Sequence, residues 1–205
     1  MSTEPDARLL NWRFVVPGEP AGLLLLPATT ERLPGAVSPG RAALAVALRN
    51  RRYPAVATPD LAAWVLRHRP RAAHRMLTDM ATAVAPGGWL CVGFPNRWYP
   101  AAPLRPGSLS LTAALRATRR AGLTGAAVYA ALPDQRRAAF LVPMARPAEM
   151  DHTLSVLFDT SFPSGGRGAV AFRRILTVLR RVALAAPRAR RRLMPAYYVV
   201  ARRPT

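Results

Sequence analysis

The chain has 205 residues, of which 51% are hydrophobic, and its 30 basic and 10 acidic residues give a formal net charge of +20. This length allows one well-buried domain, and the apolar content excludes a disordered chain. The single cysteine, Cys91, excludes an intrachain disulfide and a zinc site built from several thiolates.

Arginine supplies the basic residues, and lysine is absent from the chain. Two explanations are open. Richness in arginine, alanine and proline is the amino-acid usage expected from a GC-rich genome. Alternatively, the charge is an electrostatic footprint for nucleic acid, an anionic membrane surface or an acidic partner. A positive field follows from either explanation, because 10 carboxylates cannot pair with 30 basic side chains.

The amino terminus is polar and acidic, unlike a secretory signal, and no apolar run reaches the length of a membrane span. We therefore expect a cytoplasmic protein without a membrane span. Residues 1–10 are predicted to form a flexible tail. Residues 11–205 are predicted to form a single α/β domain with a basic helical insertion near residues 150–195.

Apolar segments of strand length alternate along the chain with longer segments of helical periodicity. The predicted strands cover residues 22–26, Tyr53–Thr58, 89–94, 125–132, 138–142 and 196–201. The predicted helices cover residues 40–49, 61–68, 75–84, 109–121, 151–159 and 169–185. This alternation predicts a doubly wound, mainly parallel sheet.

Proline, glycine and short polar residues mark the ends of these elements. Ser38 and Pro39 predict the capped start of one helix, and Asp60 predicts the cap of the next. Residues 86–88, with the sequence Pro-Gly-Gly, predict a turn, because proline cannot continue a helix and glycine tolerates a left-handed backbone. The apolar run after this turn contains Cys91 and predicts a buried strand, whose carboxyl end faces a ligand crevice in open α/β sheets.

Taken in order, these segments resemble a class I S-adenosylmethionine-dependent methyltransferase. The Pro-Gly-Gly turn and the strand ending at residues 94–96 resemble the fifth strand of that family and its approach. Residues 115–124, with Ala-Gly-Leu at 121–123, are similar to the entry into its sixth strand. Residues 195–203 resemble its last strand, which runs antiparallel to the others. The resemblance covers roughly residues 75–203 and implies a Rossmann-like sheet with an antiparallel C-terminal strand.

The same resemblance implies S-adenosylmethionine as the cofactor, held by a glycine-rich loop after the first strand and an acidic residue ending the second. In this chain Thr29 and Thr30 occupy the first loop, and Gly35 lies well downstream. Asp60 follows the second strand and is also explained by helix capping. The candidate cofactor residues are therefore Thr29, Thr30 and Asp60, in a cofactor-binding half that departs from the family pattern.

Two groups of residues are candidates for chemistry. Asn96, Trp98 and Tyr99 follow the strongest predicted strand, where a small-molecule substrate would bind, although loop packing also explains the aromatic residues. Asp151 and His152 are neighbours, and an acid–histidine pair can act as a general base in methyl transfer. No spacing of histidine, cysteine and carboxylate residues is typical of a metal site, so no metal is predicted.

Arginine accumulates towards the carboxyl terminus, and no acidic residue follows Asp159. The arginines predicted to bind an anion or a partner are Arg173, Arg174, Arg180, Arg181, Arg190, Arg191 and Arg192. Guanidinium groups would contact phosphate or carboxylate groups in a salt-dependent way. Few aromatic residues are interleaved with them, which argues against sequence-specific recognition of single strands.

Two functions are therefore hypotheses. The first is a methyltransferase-like protein that would transfer a methyl group from S-adenosylmethionine to a small molecule. The alternative is a non-catalytic scaffold whose arginine-rich surface binds an acidic protein or nucleic acid. A solvated basic surface and a partner-binding surface have the same composition, so the amino-acid sequence leaves both open.

Overall fold

The computed structural model describes residues 12–26, 33–65, 70–99, 107–136, 138, 140–160, 177, 181 and 191–205. A 3₁₀ helix covers Trp12–Val15. The strands are β1 (Leu24–Leu25), β2 (Tyr53–Thr58), β3 (Val84–Pro95), β4 (Thr124–Leu132), β5 (Phe140–Pro143) and β6 (Ala196–Arg202). The helices are α1 (Leu44–Asn50), α2 (Leu61–Trp64), α3 (Pro70–Thr82), α4 (Leu111–Arg120) and α5 (Pro147–Thr160).

The six strands form one mixed sheet in the order β1-β2-β3-β6-β4-β5. The pairs β1–β2 and β2–β3 are parallel, whereas β6 is antiparallel to both of its neighbours, β3 and β4. The prediction of an antiparallel C-terminal strand is confirmed. The prediction of a mainly parallel sheet holds for one half only, because the insertion of β6 makes two antiparallel pairs and the β4–β5 hairpin adds a third.

The two faces of the sheet are covered differently. Each of α1 to α5 contributes buried residues to one core cluster, with Leu48, Leu77 and Met150 among them. The cluster on the other face contains Cys91 and Tyr198 and is covered by Trp12 from the 3₁₀ helix. Among the described residues, therefore, the helices pack on a single face, and helical winding on the second face stays a prediction.

The Pro-Gly-Gly segment lies inside β3, so the prediction that it forms a turn before the strand is wrong. α3 ends at Thr82, and β3 already pairs with β2 at Val84. The register then shifts, and the next paired residue of β3 is Trp89. Gly88 is required in this bulge, because a Cβ there would lie 2.6 Å from the carbonyl oxygen of Pro54.

Other predicted boundaries also differ from the structure. α1 begins at Leu44, and its cap residue Ala43 makes no side-chain cap hydrogen bond, so capping by Ser38 is wrong. The first strand is reduced to the two residues of β1, although the Leu26 amide still donates to the Ala57 carbonyl oxygen of β2 at 2.8 Å. α2 ends at Trp64, whereas Asp60 caps it as predicted by accepting a hydrogen bond from the Ala62 amide. Within the described residues, no helix is both long and apolar enough to cross a bilayer.

Candidate functional site

The carboxyl end of β2 carries the buried carboxylate of Asp60. Its Oδ1 accepts hydrogen bonds from the Ala62 amide (3.2 Å) and from Gln135 Nε2 (2.9 Å). Its Oδ2 accepts a hydrogen bond from Arg136 Nε, and the two side chains form an ion pair. The carboxylate is 0% exposed, whereas the Arg136 side chain is 60% exposed. Both carboxylate oxygens are therefore engaged by groups of the chain itself.

A close crossing beside Asp60 brings three segments together. The Tyr198 hydroxyl donates to the Gln135 carbonyl oxygen at 2.7 Å and lies 3.2 Å from the Pro59 carbonyl oxygen. Tyr198 is opposite Gly93 in the β3–β6 ladder. A Cβ on Gly93 would lie 2.2 Å from the Pro59 oxygen and 2.9 Å from Tyr198 Cε1. Glycine at this position lets the segment after β2 cross directly over β3.

The turn between β4 and β5 thus covers the carboxyl ends of the strands, where open α/β sheets expose a ligand crevice. Gln135 and Arg136 reach Asp60 from this turn, and Tyr198 ties the turn to β6. Sequence reasoning missed Gly93, Gln135, Arg136 and Tyr198. The hydrogen bonds of Gln135, Arg136 and Tyr198 in this crossing join residues 63 to 139 positions apart, so no local pattern in the chain could have indicated them.

Asn96 lies just after β3 as predicted, but its side chain is hydrogen-bonded to backbone groups of the protein. Its Nδ2 donates to the carbonyl oxygens of Arg191 (3.0 Å), Arg192 (3.2 Å) and Met194 (2.8 Å). Its Oδ1 accepts from the Trp98 amide at 3.1 Å. At 1% exposure, Asn96 joins the turn after β3 to the end of the helical residues 191–193.

Tyr197 strengthens the same junction. Its hydroxyl donates to the Arg191 carbonyl oxygen at 2.6 Å. Burial raises the pKa of Tyr197, and the nearby charge of Arg191 opposes this shift only in part. Asn96 and Tyr197 therefore supply donors for carbonyl groups that the end of a helix leaves without intrahelical partners.

Trp98 and Tyr99 extend from the turn that Asn96 holds. Trp98 is 55% exposed, and two guanidinium carbons lie over its indole ring: Arg97 Cζ at 5.7 Å and Arg192 Cζ at 5.9 Å from the centroid. Both distances fall within the range of cation–π attraction. Tyr99 is half-buried. The predicted substrate-binding residues therefore have different roles. Asn96 is a buried structural amide, whereas Trp98 is an exposed aromatic ring beside two arginines.

The predicted acid–histidine pair lies at the other edge of the sheet. Asp151 and His152 are on α5, which packs against β5, the edge strand farthest from β1. His152 is exposed and lines a surface hollow of about 460 Å³ with Glu149 and Thr153. The structure thus separates this pair from Asp60 and Asn96, which lie at the ends of β2 and β3.

Several predicted residues lie outside the described part of the chain: Thr29, Thr30, Arg173, Arg174, Arg180 and Arg190. Their assignment to cofactor or partner binding stays a prediction. Arg181, Arg191 and Arg192 are described and are exposed. Within the described residues, no group of three or more histidine, cysteine, aspartate and glutamate side chains is placed to hold a metal ion.

A surface hollow of about 760 Å³ opens between α3 and the start of α4. His74, Arg75 and Arg97 place positive or titratable groups around it, and Asp79 contributes a carboxylate. Arg97 thus borders both this hollow and the Trp98 ring. Arginine side chains therefore border both the hollow and the turn after β3.

Comparison with known proteins gives little further information. No family model matches the chain, and no curated protein matches it in sequence. A solved structure described as the [4+2]-cyclase SpnF is similar over 78% of this chain, with 15% identity and a TM-score of 0.34. The chain spans about half the length of that protein (54%).

Proposed function

We propose that this chain is a binding protein on a methyltransferase-like α/β scaffold, and that its arginine-rich surface engages an acidic protein. The proposal is supported by the contrast between buried polar groups that are already hydrogen-bonded and exposed arginines that are not paired with a described carboxylate. The polar groups at the carboxyl ends of β2 and β3, on Asp60 and Asn96, are hydrogen-bonded within the chain. Arg97 and Arg192, in contrast, are exposed and form no ion pair with a carboxylate among the described residues.

The buried polar groups are poorly suited to recognising a small molecule. A ligand site presents preorganised polar groups to the ligand, whereas Asp60 already accepts three hydrogen bonds from the chain. Each of these bonds contributes on the order of 1 kcal/mol, and more where a charge takes part. Cofactor binding by Asp60 would therefore require the chain to give up bonds that stabilise its own crossing.

The charge of the whole molecule supports an acidic partner. The formal net charge is +20, because the chain has 30 basic side chains and 10 acidic ones. Such a surplus attracts acidic surfaces and accelerates their encounter at low salt. Guanidinium groups also bind carboxylates through two parallel hydrogen bonds, which adds directional specificity.

Fluorescence anisotropy with a labelled peptide of alternating glutamate and leucine tests the proposal. The matched control peptide carries glutamine in place of each glutamate. We expect the acidic peptide to bind with an affinity that falls as salt concentration rises, and the glutamine peptide to bind far more weakly. Equal binding of the two peptides, or no binding of either, would contradict the proposal.

Methyl transfer from S-adenosylmethionine to a small molecule is the second candidate function. It is supported by the direction of β6, which is antiparallel to its neighbours β3 and β4 as the resemblance implies for the last strand. Isothermal titration calorimetry with S-adenosylmethionine and S-adenosylhomocysteine distinguishes the candidates. Saturable binding of either compound would favour the enzyme, whereas no heat at high micromolar concentration would favour the scaffold.

A further inference from the structure

The exposed ring of Trp98 stands out on the described surface, because a side chain with so large an apolar area is usually mostly buried. Hydrogen bonds fix the backbone of the turn that contains Trp98. The Trp98 amide donates to Asn96 Oδ1 at 3.1 Å, and the Arg97 amide donates to the Leu109 carbonyl oxygen at 3.1 Å. The ring is thus presented to solvent by a hydrogen-bonded turn.

The two arginines beside the ring come from segments that share one anchor. Arg97 belongs to the turn after β3, and Arg192 belongs to the helical residues 191–193. Asn96 accepts from the Trp98 amide and donates to the Arg192 carbonyl oxygen at 3.2 Å, so one buried side chain fixes both backbones. This arrangement reduces the ordering cost that a partner would otherwise have to meet on binding.

We infer that Arg97, Trp98, Arg191 and Arg192, here called the Trp98 patch, form the docking centre for an acidic polypeptide segment. The inference rests on the proposed function and locates it on the surface. Tryptophan and arginine are the residues that most often dominate binding energy at protein interfaces. The segment would place carboxylates on the guanidinium groups and an apolar side chain against the edge of the indole ring.

The position of the guanidinium groups favours a polypeptide over single-stranded nucleic acid. A base that stacks on Trp98 would have to compete with two guanidinium groups, because Arg97 Cζ and Arg192 Cζ both lie over the ring, within 6 Å of its centroid. A guanidinium group over a ring still directs its N–H groups outward, where a carboxylate can accept two of them. Among the described residues, neither Arg97 nor Arg192 has a carboxylate in that position.

The surface next to the Trp98 patch can accept the continuation of such a segment. Arg97 also borders the hollow of about 760 Å³ that contains His74, Arg75 and the start of α4. The positive end of a helix dipole favours negative charge at this location, while Asp79 opposes it locally. An acidic segment crossing Trp98 can therefore extend towards α4.

The test measures anisotropy of the labelled glutamate–leucine peptide with two double variants of equal charge loss. R97Q/R192Q removes the guanidinium groups at the Trp98 patch. R49Q/R120Q removes exposed arginines from the last turns of α1 and α4, away from the patch. We expect about a tenfold loss of affinity for the first pair and a much smaller loss for the second, because only the first contacts the peptide directly.

The ring is tested separately with W98A and W98F. Trp98→Ala should weaken peptide binding by about tenfold, and Trp98→Phe should restore part of the affinity because an aromatic surface remains. Unchanged thermal melting of each variant shows that the fold persists, as expected for a half-exposed side chain. Peptide binding that is indifferent to the ring would overturn its role at the centre of the patch.

The remaining outcomes separate the inference from the proposed function. If the wild-type protein binds the acidic peptide and both double variants weaken binding equally, the localisation at Trp98 is wrong and the proposed function stands. If the wild-type protein does not bind the peptide, the proposed function itself fails. Tighter binding of a labelled oligothymidylate than of the peptide at the same salt concentration, lost in W98A, would assign the patch to nucleic acid instead.

Discussion

At the scale of single residues, the direction of a polar side chain decides whether it can serve a ligand. Asn96 lies where the strand pattern predicts a substrate residue, yet its amide closes the junction with the helical residues 191–193. Asp60 likewise follows β2 as predicted, and its carboxylate is directed at Gln135 and Arg136. Position along the chain was predictable for both residues, and side-chain partners were not.

The first prediction concerns Asn96. Asn96→Ala should lower the free energy of unfolding by about 1–3 kcal/mol, because buried carbonyl acceptors lose their donor. Asn96→Asp keeps the shape but replaces the donating NH₂ group with an acceptor, and it should destabilise the fold at least as much at neutral pH. Urea unfolding measures both variants. Wild-type stability in Asn96→Asp would show that these hydrogen bonds contribute little.

At the scale of elements, β3 combines a bulge, a close crossing and an exposed turn along one strand. Its pairing with β2 shifts register after Val84, and its pairing with β6 continues to Pro95. Between these points, Gly93 leaves the space in which the segment after β2 crosses the strand. The same strand therefore positions both the buried Asp60 crossing and the exposed Trp98 patch.

The second prediction tests this crossing. Gly93→Ala places a Cβ 2.2 Å from the Pro59 carbonyl oxygen, so the backbone has to move, at a cost of about 1–3 kcal/mol or more. The melting temperature should fall by several degrees, since about 1 kcal/mol corresponds to 2–4 °C in a domain of this size. Gly40→Ala is the control, because nothing lies within 4 Å of the added Cβ. Equal melting temperatures for the two variants would contradict the crossing geometry.

At the scale of the whole molecule, the surplus positive charge and the buried sheet affect different properties. The charge affects partner binding, and the buried sheet affects the stability of the fold. The described core is apolar on both faces of the sheet, with Cys91 fully buried in β3. Burial raises the pKa of the Cys91 thiol and also raises the pKa of the Tyr197 hydroxyl. These two groups make the stability of the fold sensitive to alkaline pH.

The third prediction follows from the sign of these shifts. Above the ordinary cysteine pKa of about 8.5, the unfolded chain releases the thiol proton, whereas the folded chain retains it. Stability is therefore fully present below about pH 8.5 and declines as pH rises, by up to about 1.4 kcal/mol per pH unit for each such group. Tyr197 adds to the decline above its ordinary pKa of about 10.

Urea unfolding across this alkaline range measures the decline. Cys91→Ala should remove the part that begins near pH 8.5 and leave the part due to Tyr197, because alanine carries no proton to release. A thiol reagent should label Cys91 only when the protein unfolds, because the side chain is 0% exposed. An unchanged pH profile in Cys91→Ala, or rapid labelling of the native protein, would contradict the assigned burial.

Structural features with a local signal could be predicted from the amino-acid sequence. β2, the capping by Asp60, the buried environment of Cys91 and the antiparallel final strand followed from apolar runs, cap residues and the family resemblance. The positive charge also followed directly from composition. Each of these features depends on residues that are close in the chain or on a simple sum over it.

The use of the carboxyl edge of the sheet depends on contacts between distant segments of the chain. The contacts of Asp60 with Gln135 and of Asn96 with Arg192 join residues 75 and 96 positions apart. The Pro-Gly-Gly segment became a bulge because β2 pairs on both sides of it. Such pairings depend on which segments the sheet brings together, so the buried crossing and the exposed Trp98 patch were set by the fold.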